Sequence, residues 1–301
     1  MDENKKVLFI INKYSGTGYQ PAVEGKILTR CTDLGFEPFI EYTQGRGHAT
    51  ELSRDATASK AFAIIFAVGG DGTVNEVAQG IVGSDQIMGI IPKGSGNGLS
   101  RHLRIPVNFK ESLQYIGSTK VISMDTFTIN GQLSMNVSGI GFDGHIAGLF
   151  GQNGKRGLIG YCKHVLKEFF TYQDFPVHAY IDDQLIETKA FIIAFANSSQ
   201  FGNNARVAPC ASVCDGVLDI SFIRKIPLTQ VIGFASKMFN GTLNRSAFVE
   251  IKKGKKITLS FTEAMPFHID GEGKEPVKEF NIEIKPASLR MLVPAKSTTP
   301  I

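Results

Sequence analysis

Ala61–Val68, AFAIIFAV, running directly into Gly69-Gly70-Asp71-Gly72-Thr73-Val74-Asn75-Glu76-Val77-Ala78-Gln79-Gly80, is the stretch that decides the fold. Eight apolar residues stopped by glycine fit a short strand buried on both faces of a parallel sheet. Three glycines in four positions open backbone conformations closed to other residues and let a ligand approach the main chain. Asp71 or Thr73 is expected to cap the helix that follows, which carries Val74, Val77, Ala78 and Ile81 on one face. The N–H groups at such a helix start attract phosphate. A carboxylate among them, Asp71, calls for a cation between itself and the phosphates. Asp-Gly is also ordinary turn chemistry, so this segment does not decide function alone.

Working outward, Val7–Ile11 reads as a first buried strand, followed by the loop Asn12-Lys13-Tyr14-Ser15-Gly16-Thr17-Gly18. A helix is expected from about Pro21, with Val23, Ile27, Leu28, Cys31 and Leu34 on one face and Gly35 past its end. Phe36–Tyr42 reads as a strand ending in the polar loop Thr43–Gly47, and a helix from His48 to about Ala58 leads into the quoted strand. Met88–Ile91, closed by Pro92, makes a fourth strand ending in Lys93-Gly94-Ser95-Gly96-Asn97-Gly98. Strands that alternate with helices form a parallel sheet, whose loops gather at the carboxyl edge where ligands bind. Four polar or glycine-rich loops on one such edge describe a nucleotide site.

From Val121 the pattern changes. Asn130-Gly131 between alternating runs signals a hairpin. Strand-like runs recur at Val177–Ile181, Ala190–Ala196, Leu218–Ile223, Ile257–Phe261 and Phe280–Ile284, with Asp182-Asp183 and Lys252–Lys256 as turns and helices over Leu158–Phe170 and Thr229–Asn240. The expected organisation is an α/β N-terminal domain with a parallel sheet, residues 1–125 completed by 286–301, and a β-rich antiparallel domain over 126–285.

A chain of 301 residues with 43% hydrophobic and 20% charged residues folds, and its length favours two cores. A net charge of +4 is too small to argue for nucleic acid, and it does not oppose an anionic substrate or membrane surface. Cys31, Cys162, Cys210 and Cys214 are scattered without zinc spacing, so reduced thiols are expected. No secretory leader and no membrane span is expected, and any lipid is met at the surface.

Gly139-Ile140-Gly141-Phe142-Asp143-Gly144 matches G-x-G-x-x-G but lies among antiparallel strands, and the acidic ribose ligand is missing about 20 residues on, so it reads as a strand end rather than a dinucleotide fingerprint. Asp270-Gly271-Glu272 after a strand-like run is either a turn or a carboxylate able to take a proton from a hydroxyl nucleophile. Asp215 and Asp219 in Asp215-Gly216-Val217-Leu218-Asp219 are either turn residues or hard oxygen ligands for Mg²⁺. Lys252–Lys256 reads as a solvated hairpin tip or a contact to anionic headgroups.

Taken together, Gly69–Thr73 with Asn75-Glu76, Gly94-Ser95-Gly96-Asn97, Gly139–Asp143, Asp215–Asp219 and Asp270–Glu272 resemble the diacylglycerol and sphingosine lipid kinase family, most closely its soluble bacterial members. The resemblance spans most of the chain in order; Gly69–Thr73 alone is shared with NAD kinases. It implies an NAD kinase/phosphofructokinase-like N-terminal domain, a β-rich C-terminal domain facing it across a cleft, and transfer of the γ-phosphate of ATP to a lipid hydroxyl. By position it implies nucleotide contacts at Asn12, Lys13, Tyr14, Ser15, Gly16, Thr43, Gly69, Gly70, Asp71, Gly72, Thr73, Val74, Asn75, Glu76, Ser95, Asn97 and Glu272. It makes Asp270 the general base and gives Asp71 a catalytic place beside Mg²⁺ and the triphosphate. A structural Mg²⁺ is implied at Ser212, Asp215 and Val217, the first and last through main-chain carbonyls. Lys13-Tyr14 and Gly98 depart from the residues frequent in the family. Diacylglycerol is the first expected acceptor and a sphingoid base the second. An NAD kinase and a non-catalytic nucleotide- or lipid-sensing protein are the rivals. The implied partners are ATP and a membrane lipid, in the cytoplasm and peripheral at the inner membrane face; a homo-oligomer is left open.

Overall fold

The computed structural model describes residues 5–16, 22–153 and 167–296. They fall into two compact units, one comprising Met1–Thr126 with Pro286–Ile301, the other Phe127–Lys285.

In the first unit, β1 (Lys6–Ile11), β2 (Glu37–Tyr42), β3 (Ile64–Gly69) and β4 (Ile87–Pro92) alternate with α1 (Ala22–Asp33), α2 (His48–Ser59) and α3 (Asp71–Ile81), followed by the short helices α4 (Gly98–His102) and α5 (Phe109–Gln114). The pairs among these four strands are parallel: β1 with β2 and β3, and β3 with β4. The apolar runs read as buried strands are buried along β1, β3 and β4, as a sheet covered on both faces requires. Arg290 and Met291, within residues 286–294, pair in parallel with Ile87 and Met88 of β4. Phe9 stacks on Phe66 with ring centroids 4.7 Å apart, and Gly89 leaves room for the Phe66 ring, since a Cβ there would lie 2.3 Å from it.

Two local expectations are corrected. Leu28, placed on the inner face of α1, is exposed, while Val23, Ile27 and Cys31 are buried, a narrower apolar stripe than the sequence suggested. Neither Asp71 nor Thr73 caps α3. Gly70 holds the cap position without a side-chain bond, because both polar side chains bond to other loops.

The second unit contains the end of β5 (Thr119–Ile129), β6 (Gln132–Ser134), β7 (Val137–Gly141), α6 (Phe142–Asn153), β8 (Phe175–Ile181), β9 (Gln184–Ala190), β10 (Ile192–Ala196), β11 (Leu218–Ile223), α7 (Val231–Phe239), β12 (Val249–Gly254), β13 (Lys256–Ile269) and the start of β14 (Glu272–Pro294). Its sheet is antiparallel in the order β12, β11, β10, β7, β13, β14, with β8 beside β13 and β9 beside β8. The Asn130-Gly131 hairpin forms as expected, with both turn residues at positive φ. Phe127, Phe195, Phe222, Phe267 and Phe280 fill the core.

Here the sequence reading needs three amendments. Lys252 and Lys253 lie within β12, which pairs with β11 and not with β13, so this is no hairpin tip. Gly139–Gly144 runs from β7 into α6, a helix the sequence did not announce, and its glycines are packing positions. A Cβ at Gly139 would sit 2.0 Å from the Asp143 carboxylate, and one at Gly144 would sit 2.4 Å from the Phe267 main chain. The helix expected over Leu158–Phe170 falls outside the described residues except for its last part, where residues 167–171 are helical.

Close packing of α2 on α3 depends on Gly80, whose Cβ would meet the Ser53 hydroxyl at 2.1 Å and the Arg54 main chain at 2.6 Å. Helix propensity alone predicts that Gly80→Ala stabilises by about 1 kcal/mol. The packing predicts the opposite, a loss of roughly 1–3 kcal/mol. Urea unfolding decides, and a raised midpoint would refute the contact.

Candidate functional site

In the first unit, the loops leaving β1, β3 and β4 at their carboxyl ends are tied to one another. Asn12 Nδ2 donates to Thr73 Oγ1 at 3.1 Å, and Asn12 Oδ1 accepts the Tyr14 N–H at 2.9 Å. Asp71 Oδ1 accepts the Gly98 N–H at 2.9 Å, and the Lys93 N–H donates to the Gly69 carbonyl at 2.7 Å. Asn97, in the left-handed region at φ 49°, closes its own loop by accepting the Gly94 N–H at 2.9 Å and donating to the Gly94 carbonyl at 2.8 Å.

Glycine is required where these loops touch. A Cβ on Gly94 would lie 2.6 Å from Gly70 Cα, and one on Gly16 would lie 2.1 Å from the Lys93 carbonyl oxygen. Beside this junction stands the start of α3, whose first-turn N–H groups have no acceptor in their own helix and whose dipole is positive at that end. Fixed main-chain donors at a helix start are an anion site, with the geometry that phosphates use.

The remaining expected nucleotide residues of this unit take varied places. Thr43 is buried just after β2, its N–H bonded to the Ile11 carbonyl. Lys13 Nζ lies 3.6 Å from the centre of the Tyr42 ring, while Tyr14 and Ser95 are exposed. Val74 packs in the core, Asn75 accepts from Gln79, and the Glu76 carbonyl accepts the Thr50 hydroxyl. Lys93 is half-buried, and burial lowers the pKa of its amine.

In the second unit, Asp270 and Gly271 form the tight turn between β13 and β14, both at positive φ, with Ile269 opposite Glu272. The Asp270 carboxylate accepts from the Ser134 hydroxyl at 2.7 Å and from the Met135 and Asn136 N–H groups at 3.0 Å each. Ser138 Oγ in turn accepts the Asp270 N–H at 3.1 Å. Glu272 is exposed and pairs with Lys274 at 3.4 Å.

Two residues beyond the expected list adjoin this turn. His268 is buried, with Nδ1 accepting the Gly271 N–H at 3.1 Å and Nε2 lying 3.1 Å from Asp143 Oδ2. Accepting at Nδ1 places the proton on Nε2, where it is donated to Asp143. Asp143 stood in a quoted motif. His268 had no sequence signal, because its partner lies 125 residues away.

At the residues expected to hold Mg²⁺, Asp215 Oδ1 accepts the Val217 N–H at 3.3 Å and Oδ2 lies 2.9 Å from Lys253 Nζ. The Cys214 N–H donates to Ser212 Oγ. Asp219 is buried, and among the described residues its Oδ2 has no hydrogen-bond partner, the Lys253 ammonium being 3.5 Å away. Burial raises the Asp219 pKa, against the opposing charge of Lys253. Burial also lowers the Lys253 pKa, but bonding to Asp215 and the charges of both carboxylates outweigh it and leave it raised. Two carboxylates against one ammonium, with an orphaned buried oxygen, fit a further cation held by hard oxygen donors.

Residues 6–129 match the diacylglycerol kinase catalytic domain, and residues 137–293 match the YegS C-terminal NAD kinase beta sandwich-like domain. The chain belongs to the bacterial diacylglycerol kinase/YegS-like lipid kinase family. Among the relatives of this lipid kinase, the diacylglycerol kinase of Bacillus subtilis (strain 168) is 25% identical over 282 residues, 89% of this chain and 90% of the relative. A chain of Chromohalobacter salexigens described as a probable lipid kinase YegS-like is 25% identical over 276 residues, 89% and 88% of the two chains. Two crystal structures from Bacillus anthracis str. Sterne share the fold. One gives a TM-score of 0.81 at 25% identity over 97% of this chain and 98% of the other. The second, of a diacylglycerol kinase, gives 0.76 at 24% over 98% of each.

The lipid kinase thus carries one cluster of main-chain donors in its catalytic domain and one wired carboxylate in its sandwich domain. The wiring of the latter makes a spectroscopic prediction. In ¹⁵N–¹H spectra at neutral pH, His268 should show the neutral Nε2–H tautomer, and Asp143→Ala should change that signal; an Nδ1–H tautomer would refute the Gly271 contact.

Proposed function

We propose that this lipid kinase transfers the γ-phosphate of ATP to the primary hydroxyl of diacylglycerol, giving phosphatidic acid and ADP. The observation that carries the reading is the junction of the β1, β3 and β4 loops beside the start of α3. Those main-chain groups suit a triphosphate, and the relative from Bacillus subtilis supports the choice of acceptor.

Phosphoryl transfer asks for little covalent help, so positioning and charge stabilisation dominate. Main-chain N–H groups of Gly70–Thr73 hold phosphate oxygens, with Asn12 and Asn97 fixing the loops that carry them. Asp71 keeps the Gly98 segment in place and would supply a hard carboxylate oxygen to the Mg²⁺ that accompanies ATP. Asp270 takes the hydroxyl proton as the new O–P bond forms and the bond from the γ-phosphorus to the bridging oxygen breaks, leaving ADP. Ser134, Met135 and Asn136 aim its carboxylate. A resident Mg²⁺ would be held by Asp215 with the main-chain carbonyls of Ser212 and Val217, and would supply fixed positive charge in the sandwich.

Incubating the protein with labelled ATP and a total lipid extract tests the acceptor. Label should appear as phosphatidic acid, whereas label in a sphingoid-base phosphate or in the aqueous phase would overturn it. Asp270→Asn should lower turnover about 10²–10⁴-fold with ATP affinity unchanged, and loss of ATP binding would contradict its role. Asp71→Ala should weaken ATP binding by roughly 10–100-fold, read by calorimetry. For the resident ion, saturating Mg²⁺ without nucleotide should raise stability by about 2.7 kcal/mol at a hundred times the dissociation constant. Asp215→Asn should abolish that increment, and equal melting in Mg²⁺ and in chelator would sink the site.

A further inference from the structure

Helix α7 is apolar around most of its circumference, VIGFASKMF, yet none of its residues is buried. Phe234 and Met238, one turn apart, pack on the cluster formed by Val207, Ala208, Ile223 and Leu243. The opposite side carries Ile232, 84% exposed, and Phe239, 52% exposed, seven residues apart, with Leu228 four residues before Ile232 and 55% exposed. A spacing of seven puts Ile232 and Phe239 on one face of α7, and Leu228 is exposed in the short 3-10 turn just before it. A helix apolar on both sides is normally interior to a fold, and among the described residues the outward face has no cover. Between Ile220 and Val249 the chain holds Arg224, Lys225, Lys237 and Arg245 and no acidic residue. Lys237 stands on α7 itself and Arg245, whose carbonyl Lys237 Nζ approaches, lies just beyond it, so the apolar face has a basic flank that complements a membrane surface with anionic headgroups, into which the apolar residues insert.

We infer that α7 with Leu228 is the surface by which this protein docks on anionic membrane. This rests on the lipid kinase reading for its purpose, since the acceptor lies in the bilayer, but not for its physical argument. The basic run first suspected of headgroup contact is a weaker choice. Lys253 is bonded to Asp215 and Lys252 to Glu250, so their charge is met within the protein.

The test is co-sedimentation of the full chain with phosphatidylcholine vesicles, with and without phosphatidylglycerol. The wild type should pellet with the phosphatidylglycerol vesicles far more than with phosphatidylcholine alone, and less as salt is raised. The double variant I232Q/F239Q should lose about tenfold or more of that partitioning. Both side chains are largely solvent-exposed, so its melting temperature and its turnover of detergent-dispersed acceptor should be unchanged. Equal partitioning of the two proteins would overturn the proposal. So would a wild-type dimer, seen in sedimentation, that the variant loses, because a second copy would then cover the face. Should neither protein phosphorylate any lipid while the variant alone fails to bind vesicles, the kinase reading fails and the docking surface stands.

Discussion

Main-chain contact between Gly70 and Gly94 is the constraint on which the catalytic domain is built. With a side chain on Gly94 excluded at 2.6 Å by the opposing Cα, the two loops approach as bare backbone, and what they offer a ligand is N–H groups. Each hydrogen bond holding this junction is worth only about 1 kcal/mol net. Their importance lies in direction. Asn12 to Thr73, Asp71 to Gly98 and Lys93 to Gly69 fix the loops before any phosphate arrives. Donors that need no reorganisation when charge develops are the strongest electrostatic contribution an active site can make.

How much of this was legible follows from how local each cause is. Strands β1, β3 and β4 of the catalytic domain were readable because both faces are buried, leaving uninterrupted apolar runs such as IIFAV, closed by Gly69. Asn130-Gly131 and Asp270-Gly271 announced their turns through residue types that tolerate positive φ. Strand β9, QLIETKA, was missed because only Ala190 is fully buried, so its pattern resembles a polar loop. Helix α6 was missed because Gly144, Gly148 and Gly151 lower helix propensity, and at least Gly144 is there for close packing on Phe267. The partners of Asp71, Asp270 and His268 lie between 3 and 136 residues away, and only the fold selects them. The cap assigned to Asp71 failed for that reason, since a tertiary bond to Gly98 outcompeted the local one.

One device recurs through the chain. Asn97, Asn130, Asp182 and Asp270 all sit at φ between 47° and 49°, and each turns its side-chain oxygen to a main-chain N–H. Asn130 accepts from Asn281, and Asp182 accepts from Lys255 and Lys256. Short polar side chains tolerate this conformation, which explains the residue types without reference to chemistry. Asp182 is therefore an internal comparison for Asp270: the same turn and similar wiring. What separates them is the setting, since Asp270 alone adds a hydroxyl donor, Ser134, itself bonded to Ser138, and lies next to the buried His268, which pairs with the half-buried Asp143. A buried polar network that is satisfied group by group holds its members rigidly, which is the condition a positioned base needs.

The two clusters differ in the energy each can supply. A positioned base contributes about 10²–10⁴-fold, equivalent to roughly 3–5 kcal/mol. Phosphoryl transfer draws the larger share of its acceleration from alignment and from charge met on the phosphate oxygens. That order of importance matches where the chain concentrates its glycines. The junction tolerates no Cβ at Gly16 or Gly94, whereas the turn at Gly271 has open space around it. Main-chain geometry at the loop junction is thus the more tightly specified part, and the Asp71 carboxylate holds Gly98 in register. Filling the space at Gly16 or Gly94 would push the loops apart and shift the N–H groups they carry.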